Sequence, residues 1–410
     1  MKVLSCKMIE LIKNGTITSP KGFVAGGISA GIKTSSENNL DLGIVKSKNL
    51  SNVAATFTSN KVVSPSVTVS KEKIALGNLA QAIIVNSGCA NCCVGKQGYL
   101  DAQEMCDLAA AHYSISSENI FVASTGMIGV ELPMALIRNN IGNINLTEDG
   151  GHDFAKSIMT TDTRQKEIAV SFEVDGSRVT IGAVAKGVGM IHPNMATMLC
   201  FISTDANVES NFLQTSLKNA VDTSFNMIDV DGDQSTNDSV FVMANGVSGI
   251  SEINHNSNSA NDFQEALSYI CTQLAKELVK DGEGAQRLLE VTVEGANSLS
   301  DARKAARSVV GSLLVKSMVH GGDPNWGRIM MALGKSEIQV IESEIDIYLN
   351  DIHIVHEGVS IPFLKEAVVS AMRVDEVNFK ININQGNESA TAWGCDMTEE
   401  YVIFNSAYST

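Results

Sequence analysis

The sequence predicts an α+β fold: layers of helix and sheet in a large N-terminal domain, residues 1–280, followed by a smaller C-terminal α/β domain, residues 281–410. Three observations lead there. Strand-like and helix-like stretches mix without the regular strand-helix-strand period of a doubly wound parallel sheet. The last third turns to alternating strands and carries a clear hairpin. With 410 residues, 44% of them hydrophobic and 19% charged, the chain is globular and can fill two cores of ordinary size.

In chain order, Asn52 to about Val69 and Ala80 to Asn86 are short apolar runs rich in β-branched residues, closed by Ser, Gly or Asn, and read as strands. "DAQEMCDLAAAHY" reads as a helix with Asp101 in its first turn. "ENIFVASTGMIGVELP" reads as a strand, Ile120 to Ala123, entering a Ser-Thr-Gly turn, where backbone N–H groups become available at a strand end. "SRVTIGAVAKGVGM" is a strand ending at Gly187 and Gly189, and "TMLCFISTDA" is another, followed by a helical pattern from Glu209 to Val221. The polar stretch Asn254 to Asp262 reads as a loop, and the amphipathic helix after it ends at Asp281-Gly282. Beyond it Leu289, Val291 and Val293 face one way and Glu290, Thr292 and Glu294 the other, as in a half-buried strand. "SEIDIYLNDIHIVHEG" reads as a hairpin turning at Asn350-Asp351, and "VNFKININQG" alternates again.

A formal net charge of −16 argues against broad phosphate contact and excludes nucleic acid as the expected partner. The N-terminal stretch lacks an uninterrupted apolar core with a small-residue cleavage site, and no run of about eighteen apolar residues follows. A soluble, cytoplasmic protein is expected, with no membrane partner. The eight cysteines are scattered through a chain too large to need stapling, so most should be reduced and buried. Cys89 and Cys92 in "GCANCCVG" have the spacing of half a zinc site, but no second CxxC or HxxxH completes a tetrahedron. They read as small side chains in a tight Gly-rich loop, and no metal is expected.

The stretch "KGVGMIHPNMATMLCFIST" invites a nucleophile. A threonine hydroxyl is weak unless a base stands beside it, and an N-terminal threonine carries its own base, an α-amine with a pKa of about 7.7–8.0. Thr197 is internal, so cleavage of the Ala196–Thr197 bond would have to free that amine, leaving fragments 1–196 and 197–410. Gly187, Gly189 and Pro193 can hold the backbone in an unusual path nearby. On local pattern alone, Thr197 reads as a plain strand residue, because many threonines begin strands. Lys186 could be a solvated strand end, and His192 is unnecessary as a base once an α-amine exists. "DVDGDQSTND" imitates a calcium loop, yet Gln234 stands where the loop needs Gly and Val240 where it needs Glu, so it reads as a tight acidic turn supporting the site. Gly187 and Gly189 lack the third glycine of a dinucleotide fingerprint. Asp323, Trp326 and Arg328 read as structure or subunit contact.

"KGVGMIHPNMATML" closely resembles the self-cleavage motif of the glutamate N-acetyltransferase/ornithine acetyltransferase family of arginine biosynthesis. The resemblance runs almost the full chain, in order, through "STGMIG", "MTTDT", "DVDGDQSTND", "DGEGA", "GGDPNWGRI" and the tail "NSAYST". It implies an α/β sandwich of the kind DmpA and the ornithine acetyltransferases share, with a smaller second domain. It implies that Thr197 is the nucleophile, that Thr125 and Gly126 form the oxyanion hole, and that Thr161, Lys186, Thr197, Glu283, Asn405 and Thr410 bind substrate. The implied reaction is ping-pong transfer of acetyl from N-acetylornithine to glutamate through acetyl-Thr197. Some members also accept acetyl-CoA as a substrate, and no cofactor is implied. The implied assembly is a heterotetramer of two copies of each fragment. Cys89 and Gln165 stand where the family usually has Asn and Pro, and neither is an assigned site residue. An aminopeptidase or amidase of similar fold, which passes its acyl group to water, and an uncleaved amino-acid-binding protein are the rival readings.

Overall fold

The computed structural model describes residues 9–33, 39–192 and 198–407. Ala196, Thr197 and Thr410 lie outside the described residues. Among the described residues the chain forms two sheets, of nine and seven strands. The larger runs Glu10–Leu11, Lys166–Val174, Ser177–Lys186, Leu199–Thr204, Ser239–Ala244, Leu42–Phe57, Leu79–Asn86 and Ile120–Ser124, with Phe23–Ile28 also paired to Leu42–Phe57. Leu199–Thr204 lies parallel to Ser239–Ala244 and antiparallel to Ser177–Lys186, so the sheet is mixed.

Period-two alternation along its central strands splits their side chains between two cores. Leu199 and Phe201 join Phe154, Phe241 and Met243 on one face. Cys200 and Ile202 face the other way, onto Leu213 and Leu217 of the helix Ser210–Asp222 and Leu274 and Leu278 of the helix Ala260–Lys280. That last helix packs on the larger sheet and also on strands of the smaller, so one apolar core runs through both.

The smaller sheet runs Val359–Ser360, Ile352–His356, Asp346–Leu349, Glu376–Asn382, Leu288–Ala296, Glu388–Cys395 and Ile228–Asp229. Its last strand is borrowed from before residue 280. The hairpin turns at Asn350 and Asp351, both at positive φ, the conformation a two-residue type I′ turn demands. Layered helices and mixed sheets are the α+β architecture that the sequence predicts.

One stretch departs from expectation. The strand that includes Asn52 ends at Phe57, and Pro65–Leu76 is a helix. Ser64 caps it by accepting from the Ser66 N–H, with Pro65 at the first helical position, a start signal that the β-branched Val67, Thr68 and Val69 obscure. Val67 and Val69 are buried, and the Ser70 hydroxyl donates to the Val122 carbonyl at 2.7 Å. Packing thus overrides a weak β preference. Among the described residues no helix is long and apolar enough to cross a membrane.

Candidate active site

Five separate stretches meet at one cavity: the turn after Ile120–Ser124, the loop after the helix Gly151–Ile158, the end of Ser177–Lys186, the turn after Ala260–Lys280 and the helix Glu399–Ala407. Thr125, Gly126, Thr161, Lys186, Glu283 and Asn405 all line it.

The Thr125–Gly126 turn is held without freedom. Thr125 N–H donates to the Asn86 carbonyl at 3.1 Å, and Met127 N–H to that of Gly88. Gly126 sits at φ +126°, and a Cβ there would stand 2.3 Å from the Gly88 carbonyl carbon, so only glycine fits. Asn237 clamps the turn from below, donating to Ser124 O at 2.8 Å and Ala90 O at 2.7 Å.

Lys186 is buried, and its Nζ donates to Thr125 Oγ1 at 3.2 Å. With that lone pair occupied, the threonine's own proton can turn into the cavity. Burial pulls the Lys186 ammonium below its ordinary value, against the opposing attraction of Asp162. Asp162 accepts from Lys166 Nζ at 2.6 Å, from Gly187 N–H at 2.8 Å and from Thr160 N–H at 3.0 Å. Lys166, itself buried, also donates to Asp281 Oδ2 at 2.6 Å. Thr163 reaches Asp281 with both its N–H and its hydroxyl. One buried cation therefore fastens the 160s loop, the Lys186 strand end and the end of the long helix together.

Glu283 forms the opposite wall. Thr161 Oγ1 donates to one carboxylate oxygen at 2.9 Å and Asn405 Nδ2 to the other at 2.8 Å. A Cβ on Gly189 would meet Glu283 Oε2 at 2.6 Å, so the glycine lets the carboxylate lie against the backbone. Tyr401, one helical turn before Asn405, donates to Asp231 Oδ2 at 3.2 Å.

The acidic turn grips both flanks of residues 193–197. Asp231 accepts from Met190 N–H at 2.6 Å and Ile191 N–H at 2.9 Å. Asp238 accepts from Met198 N–H at 2.9 Å, and burial raises its carboxyl well above the ordinary range.

Matched against known families, residues 24–410 fit the model described as ArgJ family. The chain belongs to the ArgJ family. Relatives named arginine biosynthesis bifunctional protein ArgJ include one from Dehalococcoides mccartyi, 47% identical over 402 residues that cover 98% of this chain and 99% of that one. Another, from Oceanobacillus iheyensis, is 43% identical over 410 residues and covers both chains fully. A solved ArgJ structure from Bacillus halodurans matches with a TM-score of 0.50 and 39% identity, over 51% of this chain and 98% of its own. The resemblance read from the motifs is borne out, and the chain is an enzyme of that family.

In this ArgJ-family enzyme the six described residues expected in the site come together, while Ala196, Thr197 and Thr410 lie outside the described residues. His192 pairs with the buried Asp229 at 2.9 Å. Arg328 donates to the Leu314 carbonyl between two neighbouring helices. Cys89 is buried with its Sγ on Val130 O, whereas Cys93 is exposed. Sequence reasoning missed Asp162, Lys166, Asn237 and Asp238 as individuals. Asp162, Asn237 and Asp238 stand inside the quoted motifs "MTTDT" and "DVDGDQSTND", but their partners are as far as 147 residues away.

Proposed function

We propose that the chain cuts itself between Ala196 and Thr197, and that the freed threonine carries acetyl from N-acetylornithine to glutamate. The observation that carries this reading is the pairing, in one cavity, of the Lys186–Thr125 hydrogen bond beside Gly126 with the Glu283 carboxylate opposite. The first suits an oxyanion and the second an amine.

In the first half-reaction the Thr197 hydroxyl attacks the acetyl carbonyl while its α-amine takes the proton. The oxygen that gains charge meets the Thr125 hydroxyl, already polarised by Lys186, and the Gly126 N–H. Collapse breaks the C–N bond, the proton passes to the departing ornithine amine, and acetyl-Thr197 is left as an ester. Glutamate's amine then attacks that ester and the steps reverse. Glu283, oriented by Thr161 and Asn405, suits the ammonium end of ornithine or the entering amine.

Self-cleavage turns a related attack on the chain before that amine exists: the Thr197 hydroxyl adds to the Ala196 carbonyl, the C–N bond breaks as the hydroxyl proton ends on the released nitrogen, and water hydrolyses the resulting ester. It needs the backbone on each side held still, and Asp231 and Asp238 supply that hold. The solved relative that matches over 98% of its own chain yet spans 51% of this one has the length that a mid-chain cut leaves. Two copies of each fragment would make the assembly, and acetyl-CoA is a second donor to assay.

The test is denatured mass with N-terminal sequencing, then incubation with N-acetylornithine. Two species are expected, one beginning Thr-Met-Leu-Cys-Phe, whose first residue gains one acetyl group and surrenders it to glutamate as N-acetylglutamate. An active but uncut chain would overturn the nucleophile. Release of acetate without transfer would make the protein an amidase.

A further inference from the structure

The hairpin Asp346–His356 carries chemistry that acetyl transfer does not use. Tyr348 faces His353 and Ile347 faces Val355, so the second strand holds one residue more than the first, a β-bulge. In an unbroken strand, residues three apart point to opposite faces. Here Ile354 and Val355 are both fully buried, and His353 and His356 emerge on the same outer face. Asp346, from the first strand, stands between them. His356 Nδ1 lies 2.8 Å from Asp346 Oδ1, and His353 Nε2 lies 3.9 Å from the same oxygen.

One ligand atom from each of the three residues falls within 4.8 Å of the others. Zinc, with ligand atoms about 2.0–2.1 Å away in a tetrahedron, holds neighbouring ligands roughly 3.3 Å apart, and the two measured separations bracket that value. Among the described residues His353 Nε2, screened from solvent, has no hydrogen-bond partner, and its ring stacks on Tyr348 with centroids 4.3 Å apart. A dry imidazole nitrogen 3.9 Å from a carboxylate oxygen and without a hydrogen-bond partner among the described residues is placed to share an electron-pair acceptor with it. The carboxylate is itself oriented, as metal-binding carboxylates are, by Asn384 Nδ2 on Oδ2 at 3.0 Å and the Glu357 N–H on Oδ1 at 3.1 Å.

We propose that Asp346, His353 and His356 bind a divalent transition-metal ion of the zinc class, with water completing the tetrahedron. Two imidazoles and a carboxylate suit zinc, copper or nickel and not magnesium, which demands oxygen ligands in an octahedron. The ion would pin the two strands together at an edge of the smaller sheet.

The experiment is calorimetric titration of zinc chloride into the full-length protein, stripped with chelator and desalted. The result expected is saturable binding of one equivalent, weakened more than about tenfold by either His353→Gln or His356→Gln and abolished in the double variant, since even outer-shell losses cost tenfold or more. Cobalt(II) should give the intense visible absorption of a tetrahedral site in the native protein alone, and magnesium should give no heat. Both histidines are partly exposed, so the variants should keep the native circular dichroism. Absence of saturable zinc binding, or binding that survives in the double variant, would overturn the proposal.

Discussion

Lys186 spends its charge on a hydroxyl. From a buried position it donates to Thr125 Oγ1, and that residue's proton becomes the cavity's adjustable donor. A donor aimed at developing charge matters most in the transition state, so Thr125→Val should lower kcat by about 10²–10³ with little change in KM. Steady-state kinetics checks this, and a rise in KM at constant kcat would mean that Thr125 merely binds the ground state. The six residues that line the candidate site were legible because they sit in ordered motifs whose family resemblance names them. Asn237 was not, because its work is to join Ser124 and Ala90, and nothing local in "STND" says which distant carbonyls it will meet.

Among elements, the loop after Gly151–Ile158, the strand ending at Lys186 and the helix Ala260–Lys280 are joined by Lys166 between Asp162 and Asp281. Burial alone would raise the Asp162 carboxyl, but Lys166 and Lys186 outweigh it and hold the group below its reference value of 3.8. A depressed carboxyl stabilises the fold at all pH above its unfolded value, and the contribution is lost as pH falls through the folded one. Urea midpoints measured from about pH 6 down to about pH 2 should therefore drop steeply at the acid end in the native protein and more gently in Asp162→Asn. The same scale shows where periodicity succeeds. The helix Ala260–Lys280 and the strand Leu199–Thr204 declare themselves by spacing, and the hairpin by Asn350-Asp351. Pro65 to Val69 reads as strand because valines and a threonine dominate the start of what is the helix Pro65–Leu76, and the cap at Ser64 is a single-residue signal against them.

Over the whole molecule, the larger sheet is woven from both sides of the Ala196–Thr197 bond. Leu199–Thr204 pairs with Ser177–Lys186, and Ser239–Ala244 pairs with Leu42–Phe57, so two strands from beyond that bond lie in the middle of a sheet built mostly from before it. Cleavage would leave every one of these ladders intact. Mass spectrometry under native conditions should find the two fragments in one particle, separating only in denaturant, whereas fragments that drift apart in buffer would contradict this pairing. The weave also makes the peptide bond a tether of limited service. While it is whole, one half of the sheet meets the other at the high effective concentration of a linked chain. If the proposed cut is made, a denatured enzyme would have to find its other half by diffusion, and recovery from unfolding would become a bimolecular event that dilution slows. A molecule so cut would be threaded easily once, at its synthesis, and thereafter preserved by staying folded.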